Sequence, residues 1–137
     1  MILYTESLEG VTAERLRGFF HGWSTRPDAE THLRMLQNSD AVILAIDDRH
    51  GNVIGFVSAI TDKVLTAHIP YVEVLPQYRN QGIGRELTTR MMKKLRDFYL
   101  VGLVCGMGLQ DFYSSFGMTP ANAMILRNTN ASKETKD

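Results

Sequence analysis

Val72-Glu73-Val74-Leu75-Pro76-Gln77-Tyr78-Arg79-Asn80-Gln81-Gly82-Ile83-Gly84 decides how this chain is read. Its first half is a strand by composition: Ile69 to Leu75 is rich in β-branched and aromatic residues, and Pro76 ends it. Pro70 removes a ladder donor, so it is expected near a strand start, an edge or a bulge. The second half opens a helix. Ile83, Leu87, Met91, Leu95 and Phe98 recur every four or three residues and predict one buried stripe. Arg90, Lys93, Lys94 and Arg96 fall largely off it. A strand-to-helix junction of this kind leaves free backbone N–H groups, reinforced by the helix dipole, where a phosphate can sit. Gly82 lets the backbone approach a ligand without a Cβ in the way, and Gly84 permits close packing of helix on strand. Arg79 and Arg85 are placed to add charge-assisted hydrogen bonds.

Upstream, Ile2 to Thr5 reads as a short strand. Thr12 is a candidate N-cap for a helix carrying Leu16, Phe19 and Phe20. Gly22-Trp23-Ser24-Thr25-Arg26-Pro27 breaks it, and Asp28 caps a second helix with Leu33 and Leu36 on its buried face. Ala41 to Ile46 and Val53 to Ile60 form a hairpin around Asp47-Asp48-Arg49-His50-Gly51-Asn52. Downstream, Leu100 to Cys105 is an apolar strand of the kind buried on both faces. Leu109 to Phe116 predicts a short helix stopped by Gly117, and Met124 to Leu126 a last strand. The order β-α-α-β-β-β-α-β-α-β implies an α/β fold with a mixed, mostly antiparallel central sheet flanked by helices. One domain is expected over residues 1–128, with a polar C-terminal tail over 129–137.

The whole chain has 137 residues, enough for one core, with 44% apolar and 22% charged residues. Fifteen basic and fifteen acidic residues cancel, which excludes the broad positive field of a duplex-binding protein. No signal peptide and no membrane-spanning run are visible, and a lone Cys105 forms no internal disulfide. A cytoplasmic protein without nucleic-acid or membrane partners is the expectation. Asn130-Ala131-Ser132 matches a glycosylation sequon by chance.

The pattern Val-x-Pro-x-x-Arg-x-x-Gly-x-Gly resembles the acetyl-CoA-binding motif of the GNAT-type N-acetyltransferases. Asp111-Phe112-Tyr113-Ser114-Ser115-Phe116-Gly117-Met118 is similar to that family's Phe-Tyr-x-x-x-Gly-Phe helix, with Met118 in place of the final Phe. Asn52-Val53-Ile54-Gly55-Phe56-Val57 is similar to its strand after a hairpin turn. The match runs in order from about Ala41 to Leu126. A dinucleotide site would need a third glycine near the first strand, and a nucleoside-triphosphate loop would need Gly-Lys-Ser/Thr; neither is present.

The resemblance implies a GNAT-like acyl-CoA N-acyltransferase fold and an N-acetyltransferase. An acetyl group would pass from acetyl-CoA, a cosubstrate, to a small-molecule or peptidyl amine by direct attack, without a metal. It implies that Val72, Val74, Arg79, Asn80, Gln81, Gly82, Ile83, Gly84, Arg85 and Phe112 bind the coenzyme. An alkylamine with a pKa of about 10 is neutral in only about one molecule per thousand at pH 7, so a proton acceptor is needed. Glu73 is the candidate base by resemblance; a Glu exposed on a sheet face is the other reading. Tyr113 falls at the family's general-acid position, against a packing tyrosine. The Val74 N–H would hold the oxyanion where the family's bulged strand exposes one.

Cys105 in an apolar strand reads as packing rather than a nucleophile. The acceptor region implied is His21-Gly22-Trp23-Ser24 with Asp62-Lys63-Val64; Trp23 is either a pocket wall or core. His68, Asp62 and Asp111 are as readily structural or solvated as functional. The family's Asn at the start of the last helix is missing here, with Gln110 as the available substitute. Two other readings stand beside the enzyme: an acyl-CoA-binding or sensor module without turnover, and a subunit with a vestigial site whose C-terminal strand pairs across a homodimer.

Overall fold

The computed structural model describes residues 1–128. The expected tail at 129–137, with its sequon, lies outside the described residues. Five strands, β1 (Ile2–Thr5), β2 (Ala41–Asp47), β3 (Asn52–Thr61), β4 (Thr66–Val74) and β5 (Leu100–Gly102), lie side by side in chain order. The first four are antiparallel and β5 joins β4 in parallel. Helices α1 (Ala29–Gln37), α2 (Ile83–Lys94) and α3 (Gln110–Ser114) complete the fold. This is the mixed, mostly antiparallel α/β sheet expected from the sequence.

The predicted stripe of α2 is its buried face: Ile83, Leu87, Met91 and Leu95 are covered, with Phe98 packed beside them. The glycine that lets α2 sit close on the sheet is Gly55 of β3. A Cβ there would lie 3.1 Å from Leu87 Cδ1 and 3.4 Å from Ile83 Cγ2. At Gly84 a Cβ would meet Val74 Cγ2 at an ordinary 3.8 Å, so the close approach does not depend on that glycine.

Asp28 caps α1, accepting the Thr31 N–H at 2.8 Å. Pro70 sits at a bulge: between the pairs Ser58–Tyr71 and Ile60–His68, two β4 residues oppose one on β3. The missing donor therefore falls where the ladder is already broken.

Three expectations fail. The helix expected after Thr12 is only a 3-10 turn at Ala13–Leu16, and Thr12 makes no side-chain cap. Gly18 (φ +94°), Phe20 (φ +61°) and Gly22 (φ +88°) put left-handed residues in the segment that would have continued it. The Leu100 to Cys105 strand is three residues long and forms an edge; Leu100 is 54% exposed because no described residue covers it. Met124 to Leu126 forms no strand among the described residues. Met124 is fully exposed, Leu126 largely and Ile125 about half, since the segment pairs with neither sheet edge among the described residues.

Candidate functional site

β4 and β5 pair only from Thr66–Leu100 to His68–Gly102 and then part. Beyond that point the outer edge of β4 has no strand partner among the described residues. The Leu75 N–H bonds Ile54 O on β3 at 2.9 Å. Backbone groups alternate sides along a strand, so those of Val74 and Val72 point away from β3, into the opening. Arg79 Nε reaches back to Val74 O at 3.0 Å, which agrees with that direction. The β4 bulge lies near Pro70, so the Val74 N–H faces the opening because β5 diverges, not because of a bulge at Val74 itself.

The loop follows directly. Pro76–Tyr78 is a 3-10 turn; Asn80 (φ +63°) and Gly82 (φ +83°) are both left-handed. A Cβ on Gly82 would meet nothing within 4 Å, so the backbone angle, not crowding, requires glycine. Gly82 caps α2 with no side-chain hydrogen bond, leaving the first N–H groups of a 12-residue helix unclaimed by a cap. Arg79, Asn80, Gln81, Gly82 and Arg85 are exposed, Gly84 is half-buried, and Ile83 is core. Uncapped N–H groups, a positive dipole end and a nearby arginine suit an anion.

Arg85 is engaged elsewhere. Its guanidinium sits 5.1 Å from the centroids of both Phe112 and Phe116 and donates to Ser115 Oγ at 3.1 Å. It ties the start of α2 to α3, where the sequence pointed to phosphate contact. Phe112 in turn packs edge-on to Tyr113, 4.9 Å between centroids. Tyr113 is buried, and burial first, with the Cys105 thiol second, pushes its phenol above its ordinary pKa. Such a phenol stays protonated and able to donate at neutral pH. Cys105 is a free thiol.

The two faces of β4 divide as alternation predicts. Val74 faces α2. Tyr71 and Glu73 face the segment after the first turn: Tyr71 packs 6.0 Å from Phe20 and 6.1 Å from Trp23. Glu73 Oε1 accepts the Phe20 N–H at 2.8 Å and Oε2 the His21 N–H at 3.1 Å. A bulky residue with positive φ is strained, and here a carboxylate 53 residues away holds it. Trp23 is half-exposed against Tyr71 and Phe20, so it is available as a wall rather than sealed in the core. Asp62 is a turn-former: Oδ1 accepts the N–H groups of Val64, Leu65 and Thr66, which together lower its pKa. Lys63 pairs with Asp40 at 2.9 Å. His68 is a strand residue paired with Gly102.

Sequence reasoning missed His32. It is 1% exposed, ringed by Phe19, Phe20 and Phe56 at 4.4–5.2 Å, and neither ring nitrogen finds a hydrogen-bond partner among the described residues. Burial lowers its pKa from 6.5 to about 4. Helical spacing from Leu36 was the only signal available.

The sequence profile of the acetyltransferase (GNAT) family matches residues 8–118. The uncharacterized N-acetyltransferase ycf52-like protein of Prochlorococcus marinus is 32% identical over 102 residues, 72% of this chain and 56% of that relative. GCN5-related N-acetyltransferase 3, chloroplastic, of Arabidopsis thaliana is 33% identical over 70 residues, half of this chain. The chain thus spans 56% and 30% of the lengths of these curated relatives. A crystal structure of a Deinococcus radiodurans R1 protein, provisionally named an acetyltransferase, superposes with a TM-score of 0.91 at 41% identity. It covers 96% of this chain and 91% of its own.

Proposed function

The chain belongs to the acetyltransferase (GNAT) family, and on that premise we propose that it moves an acetyl group from acetyl-CoA to an amine by direct attack. The observation that carries this is the uncapped start of α2 at left-handed Gly82, opening beside the edge of β4 that β5 leaves free. The phosphates of acetyl-CoA would take the N–H groups around Gly82 to Gly84. The thioester end would lie along Val72 and Val74, with Phe112 and Tyr113 on the far side.

The amine nitrogen attacks the thioester carbonyl, and the oxyanion takes the Val74 N–H. The C–S bond then breaks, and the departing thiolate receives the Tyr113 proton. A thiolate with a conjugate pKa of about 8.5 is a weak enough base that this transfer must be local and well aligned. Glu73 is the proposed acceptor of the amine proton, directly or through water. Each of its oxygens accepts one backbone N–H and keeps further lone-pair capacity. The same bonds fix the segment bearing His21 to Trp23 beside the acceptor. We place the enzyme in a reducing cytoplasm. We assign the open β5 edge and the exposed Met124-Ile125-Leu126 to a homodimer contact, each copy's segment adding to the other's sheet.

A second reading, acyl-CoA binding without turnover, is favoured by one observation: both Glu73 oxygens already hold backbone amides. Calorimetric titration with acetyl-CoA, then Tyr113→Phe under turnover, separates the two. The enzyme reading expects binding by both proteins and loss of rate in the variant. Binding with no rate to lose leaves the sensor, and no binding removes both.

A further inference from the structure

The turn between β2 and β3 carries a polar cluster that acetyl transfer does not use. Asp47 closes β2 with its side chain completely covered. Its Oδ1 accepts the Arg49 backbone N–H at 3.1 Å and Arg49 Nε at 3.0 Å. Its Oδ2 accepts from the Arg49 guanidinium and from the Tyr78 hydroxyl, the latter at 2.7 Å. His50 Nε2 stands 3.1 Å from the same hydroxyl. Arg49 first, and Tyr78 second, hold the Asp47 carboxyl well below the usual carboxylate range.

Arg49 alone supplies three donors to this carboxylate, so a tyrosine 31 residues along the chain is not needed to satisfy it. What Tyr78 gains is a fixed place. It is the last residue of the Pro76–Tyr78 turn, one before Arg79. Beyond it Asn80 and Gln81 make no hydrogen bond to another described residue, and the backbone is next held at Gly82 O, which accepts the Glu86 N–H. The loop therefore hangs between the first turn of α2 and the adjacent pair Tyr78 and Arg79, the latter held by its N–H on Pro76 O at 3.3 Å and its Nε on Val74 O at 3.0 Å.

We propose that Tyr78 is a positioning residue: its hydrogen bond to Asp47 clamps the entry of the Arg79–Gly84 loop to the β2–β3 turn, and so aims the loop's N–H groups at the coenzyme phosphate. This rests on reading that loop as the coenzyme site.

Tyr78→Phe keeps the ring, drops the hydroxyl and leaves Asp47 paired with Arg49. Amide hydrogen exchange at residues 80–85 should quicken in the coenzyme-free variant. With Asp47 still satisfied by Arg49, losing the net worth of one ordinary hydrogen bond should raise Kd and KM for acetyl-CoA about three- to tenfold. The kcat at saturating coenzyme and the KM for the amine should stay within about twofold, since neither group is touched. Asp47→Asn should move the same way, and the double variant should fall short of the sum because both remove one interaction. Unchanged exchange at residues 80–85 overturns the clamp. So does an unchanged KM for acetyl-CoA alongside a lowered melting temperature, which marks Tyr78 as structural only. A wild-type chain that binds no acetyl-CoA overturns instead the reading of the loop, and that result appears before any variant is made.

Discussion

His32 should make this fold acid-labile, and the size of the effect can be worked out. The imidazole is neutral in the folded chain, where burial lowers its pKa from 6.5 to about 4. Its surroundings are aromatic, and the charged side chains lining the cleft beside it are Arg17, Arg26 and Asp28. Two cations against one carboxylate offer little to a positive ring. Between pH 6.5 and 4 the unfolded chain binds a proton that the folded chain refuses, so stability rises with pH across that window and is lost as pH falls. From pH 7 to pH 5 the loss is about 2 kcal/mol, and the full loss below pH 4 about 3 kcal/mol. For a chain of this size 2 kcal/mol lowers Tm by about 6–10 °C. The assay is a set of thermal or urea melts at pH 7, 6 and 5 on the wild type and on His32→Leu. Leucine fills similar space, titrates nothing and leaves no ring nitrogen unpaired, so the variant should lose most of the pH slope and match or exceed wild-type stability at pH 7. An equal pH slope in both proteins would refute the reasoning.

Further outcomes follow from the site and the sheet. Tyr113→Phe should cut kcat about 100-fold while the Kd for acetyl-CoA stays within about threefold, measured by thiol release and calorimetry. Because burial raises the Tyr113 pKa, the phenol stays protonated at neutral pH, and any basic limb it gives the rate profile should lie above that of an exposed tyrosine. Gly82→Ala forces a Cβ into φ +83° and should cost about 1–2 kcal/mol, read as weaker coenzyme binding or a lower Tm. Gly55→Ala drives a methyl to 3.1 Å from Leu87 Cδ1 and should destabilise by about 1–3 kcal/mol in urea melts. Light scattering should report a dimer, and Ile125→Lys a monomer with acetyl-CoA affinity intact.

What could be read beforehand was whatever depends on local period or local backbone. The α2 stripe was legible because burying one face of a helix writes a four-three spacing into Ile83, Leu87, Met91 and Leu95. The loop was legible because an αL cap at a strand-to-helix junction selects glycine, as Gly82 shows. The Pro70 bulge was legible for the same kind of reason: the missing donor restricts where it can sit. The first helix was misread because Leu16, Phe19 and Phe20 keep helical spacing while turning on left-handed residues, so burial alone imitated the period. Partnerships between distant segments were not legible. Glu73 with Phe20 and His21, Asp47 with Tyr78, and Arg85 between Phe112 and Phe116 form only when the sheet brings their elements together. For that reason Glu73 and Arg85 look freer in the sequence than they are in the fold. β5 and Met124 to Leu126 were overread because apolar composition reports the side chains, not whether a strand partner lies beside them.

Acetyl transfer to an amine is tested most directly by release of free coenzyme A thiol from acetyl-CoA, across polyamines, aryl-alkylamines, aminoglycosides and peptide N-termini. Turnover with at least one amine class, dependent on that amine and lost in Tyr113→Phe, is the predicted result. Tight acetyl-CoA binding with no amine-dependent thiol release from any class would contradict it.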